Sequence, residues 1–388
     1  MRGHIRQRGK NSWAVVLDVG LKPDGSRNVK WHSIKGTRED AERERVRLLH
    51  ELNIGAYVEP ANETVAAFLK RWLDDYARLK VSAKTFERYE EIVEKHLIPA
   101  LGHYKLNKLR APHIQGSYTK ALTSGRRDGE GGLSPQTVLH HHRLLRAALN
   151  RAVRWGVIAL NPADAVEAPR PARKETRVLD ESDSAKLLQA VQGTRFYSPV
   201  LLALTTGMRR GEVLGLRWAD IDWEAGTLAV QQTLEQTRTG LRFKQPKTPK
   251  SRRRVPLTSM ALDALKSQRT AQVASRLALG NLYQDHDLVF PAPDGLPWKP
   301  GSFSAAFIKL AAAAGLPKLR FHDLRHSHAT QLLRLGIHPK IVSERLGHAT
   351  TGITLDLYSH VVPGMQEDAV AKVDKTLRLA LGEASTAD

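Results

Sequence analysis

The sequence predicts a multidomain protein that is mainly α-helical with small β-sheets. Its 388 residues exceed the roughly 100 to 200 residues of one ordinary domain. Residues 163–177 combine prolines and alanines without apolar periodicity, as linkers do. Long stretches on both sides of this segment repeat apolar residues at the three- and four-residue spacing of helices. We therefore expect domains at residues 1–60, 62–162 and 178–388, the last including a C-terminal tail, with 163–177 as the linker.

The first domain is predicted to be a small three-stranded sheet followed by a helix. Residues 12–20 and 27–36 are rich in Val, Trp and Ile, and the turn sequence LKPDGS separates them. Thr37 begins a capping-box pattern, and the helix that it opens ends near Asn53. Residues 1–36 hold eight Lys or Arg against two acidic residues. A sheet this basic could lie against DNA or be a solvated surface.

The second domain, residues 62–162, is predicted to be all-helical with a basic face. A Gly-rich, charged loop precedes a long helix that runs from about Pro135 to Arg154, behind a Ser134 N-cap. The three consecutive histidines at 140–142 resemble a metal-ligand cluster. On a basic helix we interpret them instead as a DNA-facing or solvated strip.

The charge of the whole chain points to a polyanionic partner. Sixty Lys plus Arg against forty Asp plus Glu give a net charge of +20 and a pI near 10.2, which is typical of nucleic-acid-binding proteins. The chain has no cysteine, which removes disulfides, thiolate nucleophiles and cysteine zinc sites. We see no secretory signal and no apolar run long enough to span a membrane, and we expect a cytoplasmic, nucleoid-associated protein.

The third domain contains basic residues in ordered short motifs. In TTGMRRGE, Gly207 is expected to break one helix and to leave Arg209 and Glu212 on one face of the next, three residues apart. In FHDLRHSHAT, His322 and Arg325 have the same spacing. Each pair taken alone is a weak signal, because such pairs are often structural.

Two further segments complete the series. Residues 238–254 hold eight Lys or Arg and no acidic residue, a density that favours an anionic partner; we expect a hairpin here, with Lys247 near its middle. In RLGHATTGITLDLYSH, His348 follows a glycine at a turn, and Tyr358 comes ten residues later.

Taken in this order, the motifs resemble the catalytic domain of tyrosine recombinases of the phage-integrase type. That family combines an arginine after Thr-Gly, a hairpin lysine, a His-x-x-Arg pair, a Leu-Gly-His and a nucleophilic tyrosine. The resemblance covers about residues 175–380. It assigns the catalytic positions to Arg209, Lys247, His322, Arg325, His348 and Tyr358, with Glu212 supporting the first arginine. Lys244 and Lys250 compete with Lys247 for the lysine position.

The resemblance extends more loosely to the other two domains. Residues 62–162 resemble the family's core-binding domain, and residues 1–60 resemble the small arm-binding sheet of many phage integrases. The implied architecture is therefore an arm-binding sheet, a helical core-binding domain and a mixed α/β catalytic domain with a C-terminal tail.

The family chemistry explains why these residue types occur together. Arg209 and Arg325 would each grip phosphate oxygens through a bidentate fork, and His348 would donate a further hydrogen bond. His322 would accept the proton of the Tyr358 phenol, and Lys247 would protonate the departing 5′ oxygen. The implied product is a 3′-phosphotyrosyl enzyme. Because that bond keeps the energy of the broken ester, religation needs no ATP. The guanidinium groups replace a metal, and we expect no cofactor.

The resemblance implies a site-specific recombinase that integrates or excises a mobile element. Its expected partners are double-stranded DNA at core-type and arm-type sites, three further copies of itself in a homotetramer on synapsed DNA, and an accessory DNA-bending or directionality factor; no membrane is expected. The amphipathic tail, residues 365–381, could dock on its own protomer or on a neighbour.

Three alternatives are open. A type IB topoisomerase would relax DNA as a monomer without site preference. A noncatalytic DNA-binding regulator on the same scaffold would not need Tyr358. A metal-dependent nuclease would be sensitive to chelators; His322, His326 and His328 suggest such a site, but their mixture on one helix suits a metal poorly.

Overall fold

The computed structural model divides the chain into two compact units, Met1–Arg173 and Lys174–Asp388, and each is described by itself. The boundary falls within the segment 163–177, which we interpret as the linker. The structure describes residues 3–21, 24–53, 62–172, 177–245, 252–348, 350–352, 354–355 and 365–381.

The first unit begins with a three-stranded antiparallel sheet and one helix, as predicted. These elements are β1 (Gly3–Gly9), β2 (Ser12–Leu21), β3 (Arg27–Lys35) and α1 (Arg38–Asn53). The strands pair in the order β1-β2-β3. The capping box is confirmed, because the Asp40 carboxylate accepts the Thr37 backbone N–H at 2.9 Å and the Thr37 hydroxyl accepts the Asp40 N–H at 3.2 Å.

Strand register gives this sheet two different faces. Val15 and Leu17 pack against Leu48 of α1 and form a small core. The next residues along β2 point to the opposite face, where Val16 pairs with both His4 and Trp31. One face of the sheet is therefore buried under the helix, and the other is open.

The rest of the first unit is helical. Its elements are α2 (Val65–Trp72), a π-helical turn (Leu73–Ala77), α3 (Arg78–Lys80), α4 (Ala83–Ile92), a second π-helical turn (Val93–Leu97), α5 (Ile98–Leu101), a 3₁₀ turn (Leu106–Lys108), α6 (Ala111–Ser124), α7 (Pro135–Arg154) and a 3₁₀ turn (Pro162–Ala165). The predicted start of α7 is confirmed, because the Ser134 side chain accepts the N–H of Thr137 at 3.2 Å. Ala163, at the start of the segment that we interpret as the linker, is buried in the core of these helices.

The second unit is mixed, with helices around small sheets. Its helices are α8 (Glu181–Val191), α9 (Tyr197–Thr206), α10 (Arg210–Leu214), α11 (Ser259–Leu279), α12 (Pro300–Ala313), α13 (Phe321–Arg334), α14 (Pro339–Leu346) and α15 (Met365–Ala380), with 3₁₀ turns at Trp218–Asp220 and Gly280–Leu282. Its strands are β4 (Ile221–Asp222), β5 (Thr227–Ala229), β6 (Thr233–Thr237), β7 (Gly240–Lys244) and β8 (Arg254–Pro256). In the described part of the chain, no helix is long and apolar enough to cross a membrane.

Helix α9 lies at the centre of this unit, and nearly all its residues are buried. Strands β6 and β7 form a hairpin whose turn follows Thr237, so the hairpin begins before the most basic part of residues 238–254. The basic segment then leads to β8, which pairs with β5 rather than with β7.

The structure corrects the interpretation of the histidine run on α7. His140 is exposed, but His141 and His142 are buried, at 3% and 8% exposure. The His141 ring packs against the His96 ring, with 4.6 Å between their centroids and a tilt of 32° between their planes. His142 shares a hydrogen bond of 3.3 Å with the Tyr118 hydroxyl. Two of the three histidines are therefore core residues, and they form no DNA-facing strip.

Burial of His141 makes the first unit sensitive to acid. Desolvation, and then the nearby His96 and Arg88, lower the pKa of His141 from 6.5 to about 4. Because the unfolded chain binds a proton more readily, folding stability falls as the pH drops from about 6.5 towards 4. Between pH 7.5 and pH 5.0 we expect His141 to contribute a loss of about 2 kcal/mol.

Urea denaturation of the wild type and of His141→Phe at both pH values measures this contribution. The variant should lose less stability on acidification, whatever its stability at pH 7.5. His140→Gln, on the exposed neighbour, should keep the acid sensitivity of the wild type. An unchanged pH dependence in His141→Phe would contradict the assignment.

Candidate active site

Two helix C-termini meet in the second unit, and a glycine ends each of them. Gly207 follows α9 with φ +68°, and Gly347 follows α14 with φ +64°, a left-handed conformation that glycine adopts without strain. A Cβ on Gly207 would come within 2.4 Å of Leu346 and 2.8 Å of His328. The helix ends are therefore in close contact, and their terminal carbonyl groups point into one region.

Arg325 of α13 fills that region. It is only 3% exposed, and it donates to the Gly207 carbonyl at 2.8 Å and the Leu346 carbonyl at 2.7 Å. The C-terminal carbonyls of a helix carry partial negative charge and lack partners within the helix, so they are suited to hold a guanidinium group. Burial and the neighbouring Arg209 lower the pKa of Arg325 to about 9, which leaves it charged at neutral pH.

Arg209 is held by Glu212, but not from one face of a helix as we expected. Arg209 is the N-cap of α10, with extended backbone, and Glu212 is the third residue of the helix. The buried carboxylate accepts the Arg209 backbone N–H at 2.9 Å and its guanidinium at 2.7 Å. A further Arg209 N–H reaches the Gly347 carbonyl at 3.4 Å. About two fifths of the Arg209 side chain remains exposed, so it can still meet a ligand.

Sequence reasoning missed a third arginine. Arg253 precedes β8, and its side chain is 5% exposed. It donates to Glu212 at 2.9 Å and to the Arg345 carbonyl at 2.6 Å. Burial alone would raise the pKa of Glu212, but Arg253 and Arg209 lower it overall, so Glu212 is a carboxylate shared by two guanidinium groups.

His348 and His322 lie beside the arginines. His348 follows Gly347, and its Nδ1 shares a hydrogen bond of 2.8 Å with the buried Thr354 hydroxyl. Desolvation, then Arg325 and Arg209, lower its pKa to about 4. Partial desolvation, then the neighbouring His326, Arg325 and Arg209, also lower the pKa of His322 to about 4. Both histidines are therefore neutral at neutral pH.

His328 is structural. Its Nε2 accepts from the Arg345 guanidinium at 3.2 Å, which leaves the ring proton on Nδ1 to donate to the Leu204 carbonyl at 2.8 Å. Arg345 also donates to the carbonyls of Thr205 and Pro256 at 2.9 and 3.1 Å. These bonds join α9, α13, α14 and β8 behind the site. Among the residues whose positions are described, no group of His, Cys, Asp or Glu side chains could hold a metal ion.

The structure thus brings four of the six predicted catalytic residues together, with Glu212 beside them. Those four are Arg209, His322, Arg325 and His348. Lys247 and Tyr358 lie outside the described residues, as does Lys250. Lys244, a competing lysine, is on β7 and forms an ion pair with Glu235 across the hairpin.

This arrangement defines a class of enzyme site. A buried arginine, a half-exposed arginine and two neutral histidines can stabilise negative charge on phosphate oxygens and exchange protons with the reacting groups.

The comparisons with known proteins agree with that class. The model of the phage integrase family matches residues 177–364, and that of the phage integrase N-terminal SAM-like domain matches residues 64–122. A tyrosine recombinase XerC-like protein of Caldanaerobacter subterraneus subsp. tengcongensis is 28% identical over 383 residues, covering 94% of this chain and 96% of the relative.

Solved structures of integrases share the fold. The Tn1549 transposon integrase in complex with transposon right end DNA superposes with a TM-score of 0.68 at 21% identity, covering 80% of this chain and 99% of that one. The lambda integrase tetramer bound to a Holliday junction has a TM-score of 0.58 at 20% identity, covering 91% and 94%.

The site therefore belongs to a DNA strand-transferring enzyme of the tyrosine-recombinase class. Within that class, the chain is a member of the phage integrase family.

The contact between the two helix ends predicts a sensitive position at Gly207. Gly207→Ala introduces both a left-handed alanine, which costs roughly 1–2 kcal/mol, and a clash with Leu346 and His328, which adds roughly 1–3 kcal/mol. Gly193 provides a matched control, because its φ is +72° but a Cβ there meets nothing within 4 Å.

Urea denaturation of the two variants separates the contributions. Gly193→Ala should lose about 1–2 kcal/mol, and Gly207→Ala should lose about 2–5 kcal/mol, roughly 1–3 kcal/mol more than Gly193→Ala. Equal losses would show that the helix ends do not constrain this position.

Proposed function

We propose that this integrase cleaves and rejoins DNA at specific sites through Tyr358, and so integrates or excises a mobile element. The observation that carries the proposal is Arg325, a buried cation whose guanidinium is bonded to backbone carbonyls and lies among Arg209, His322 and His348. A positive charge that has been removed from water strongly attracts an anion that enters the site, because the local dielectric constant is low.

The transfer step follows from these groups. The Tyr358 oxygen attacks phosphorus and forms a 3′-phosphotyrosyl ester, and the bond to the 5′ oxygen breaks. Arg209 and Arg325 stabilise the charge on the nonbridging oxygens. His322, which is neutral because its pKa is lowered, accepts the phenol proton, and His348 donates a hydrogen bond to the phosphate. Attack by a 5′ hydroxyl on the ester reverses the step, and neither metal nor ATP is consumed.

Chain connectivity would allow Tyr358 to reach this site. Thr354 bonds to His348, and Tyr358 is four residues further on in the sequence. Four residues span at most about 14 Å. This limit supports Tyr358 as the nucleophile.

Lys247 is the proposed general acid for the 5′ oxygen. The ion pair between Lys244 and Glu235 would hold that ammonium group against a carboxylate, which disfavours Lys244 for the role. Lys250 remains the alternative.

The open face of the N-terminal sheet supports arm-type DNA binding. His4 and Arg6 lie on this face with Trp31, which is 45% exposed. The Arg8 guanidinium lies 5.1 Å from the centre of the Trp31 ring. Positively charged side chains around a flat, partly apolar centre can contact the phosphates on either side of a DNA groove. We assign this face to arm-type sites and the helical domain, residues 62–162, to core-type sites.

Assembly would involve α15. Val370, Val373 and Leu377 are more than half exposed and lie on one face of this helix. Such a stripe is consistent with docking on a second protomer. By analogy with the lambda integrase tetramer, we propose a homotetramer on synapsed DNA at the nucleoid, with an accessory DNA-bending or directionality factor.

The nucleophile is tested with nicked DNA from the element's candidate core site, in the presence of EDTA. The wild type should form a covalent protein–DNA adduct, and Tyr358→Phe should form none, because phenylalanine has no hydroxyl to attack phosphorus. Denaturing gels measure the adduct, and the EDTA excludes a metal-dependent nuclease.

Tyr283→Phe is the matched control. The Tyr283 hydroxyl accepts from Gln272 at 2.8 Å, so this variant also loses one hydroxyl from the second unit, yet it should keep the adduct. A wild type that binds its cognate site tightly without forming an adduct would support the noncatalytic regulator. Relaxation of supercoiled DNA without site preference would instead support a type IB topoisomerase.

The general acid is tested with a 5′-bridging phosphorothiolate, whose sulfur leaves without needing a proton. Lys247→Ala should cleave ordinary DNA about 10²- to 10⁴-fold more slowly but should approach the wild-type rate on the phosphorothiolate. Arg209→Ala should remain slow on both substrates, since it stabilises a different charge.

Lys244→Ala and Lys250→Ala are the controls for this experiment. Both should cleave ordinary DNA at close to the wild-type rate. Sulfur rescue of Lys250→Ala in place of Lys247→Ala would reassign the acid to Lys250.

A further inference from the structure

The further inference concerns Arg253, a buried residue among exposed arginines. Arg252, Arg253 and Arg254 are consecutive; Arg254 begins β8, and the side chain of Arg253, directly before the strand, is turned inward. Arg254 is 73% exposed and lies 3.7 Å from Asp222, whereas the side chain of Arg253 is 5% exposed. Of these three neighbouring arginines, Arg253 is therefore the one whose guanidinium lies in the interior of the second unit.

The described side-chain partners of Arg253 belong to two parts of the site. Its Nη2 donates to Glu212 Oε2, the same oxygen that accepts the Arg209 backbone N–H. Its Nε donates to the carbonyl of Arg345, three residues before His348. One rigid planar group thus bridges the carboxylate that orients Arg209 and the last turn of α14 that leads to His348.

Its own backbone is also fixed. The Arg253 carbonyl accepts the N–H of Val230 at 2.9 Å, and β8 pairs with β5 directly after it. The chain is therefore held at Arg253 by the backbone as well as by the side chain.

We propose that Arg253 is a positioning residue for strand transfer: acting through Glu212 and the end of α14, it sets the places of Arg209 and His348 without touching DNA. The inference rests on the proposed function only for the identity of the reaction. A small displacement of a catalytic group can cost about 100-fold in rate. Lysine keeps the charge but lacks the planar fork that bridges both partners.

The test compares Arg253→Lys with Arg254→Lys in the full chain, on the nicked substrate described above. We expect Arg253→Lys to lower the single-turnover cleavage rate about 10- to 100-fold at a DNA affinity within about threefold of the wild type, and Arg254→Lys to leave the rate unchanged. A rate equal to that of Arg254→Lys would overturn the proposal, as would a loss that matches the fraction of unfolded protein in a thermal melt.

A double-mutant cycle with Glu212→Gln tests the route of action. If Arg253 acts through Glu212, Arg253→Lys should add little to the loss that Glu212→Gln already causes. Independent, multiplicative losses would contradict this route.

Amide hydrogen exchange provides a readout that does not need cleavage. In Arg253→Lys, peptides that cover residues 205–216 and 340–348 should exchange faster than in the wild type and in Arg254→Lys. If the wild type forms no adduct, the proposed function fails while this comparison still decides the positioning role. Unchanged exchange in both peptides would overturn it.

Discussion

The second unit depends on one buried cation, the guanidinium of Arg325. Removing a charge from water is costly unless strong partners replace the solvent. Its described hydrogen-bond partners are carbonyls at the ends of two helices, Gly207 after α9 and Leu346 in α14, where the helix dipole supplies partial negative charge. The helices can bring these carbonyls together only if they end abruptly, and the left-handed glycines at 207 and 347 allow this. The geometry of a charged side chain thus dictates where two helices stop.

Around Arg325 the site collects more positive charge than it neutralises. Arg209 and Arg253 share the single carboxylate of Glu212, and Arg345 bonds to carbonyls and to His328. This arrangement opposes stability, because like charges are held together at partial burial. The site is preorganised for an incoming phosphate, whose negative charge offsets the excess of positive charge. Desolvation, together with this excess of charge, lowers the pKa of the neighbouring His322 and His348 and keeps them neutral, so that they can exchange protons rather than carry another charge.

Much of the fold could be predicted from the sequence where local chemistry decides the outcome. The start of α7 depends on Ser134, whose hydroxyl caps the helix whatever packs beside it. For the histidine run on the same helix, composition alone gives the wrong prediction, because the spacing decides which side chains are buried. Val138, His141, His142 and Leu145 follow the i, i+3, i+4, i+7 spacing of a buried stripe. Two of these histidines are therefore part of the apolar face, and the missed signal was in the sequence.

The arrangement of the site could not be predicted from such local signals alone. An arginine N-cap whose backbone and guanidinium bond to an acid three residues later occurs at Arg209 with Glu212, Arg217 with Asp220 and Arg320 with Asp323. All three acids are buried, so the motif by itself is a way to begin a helix. Within the described residues, Glu212 is the one of these acids shown with a second arginine; that arginine, Arg253, lies directly before strand β8 and 41 residues away in the sequence. No spacing rule selects it from Arg252 and Arg254 before the strand register is known. The catalytic role proposed for Arg209 therefore depends on a tertiary partner that converts a common helix start into part of a charged site.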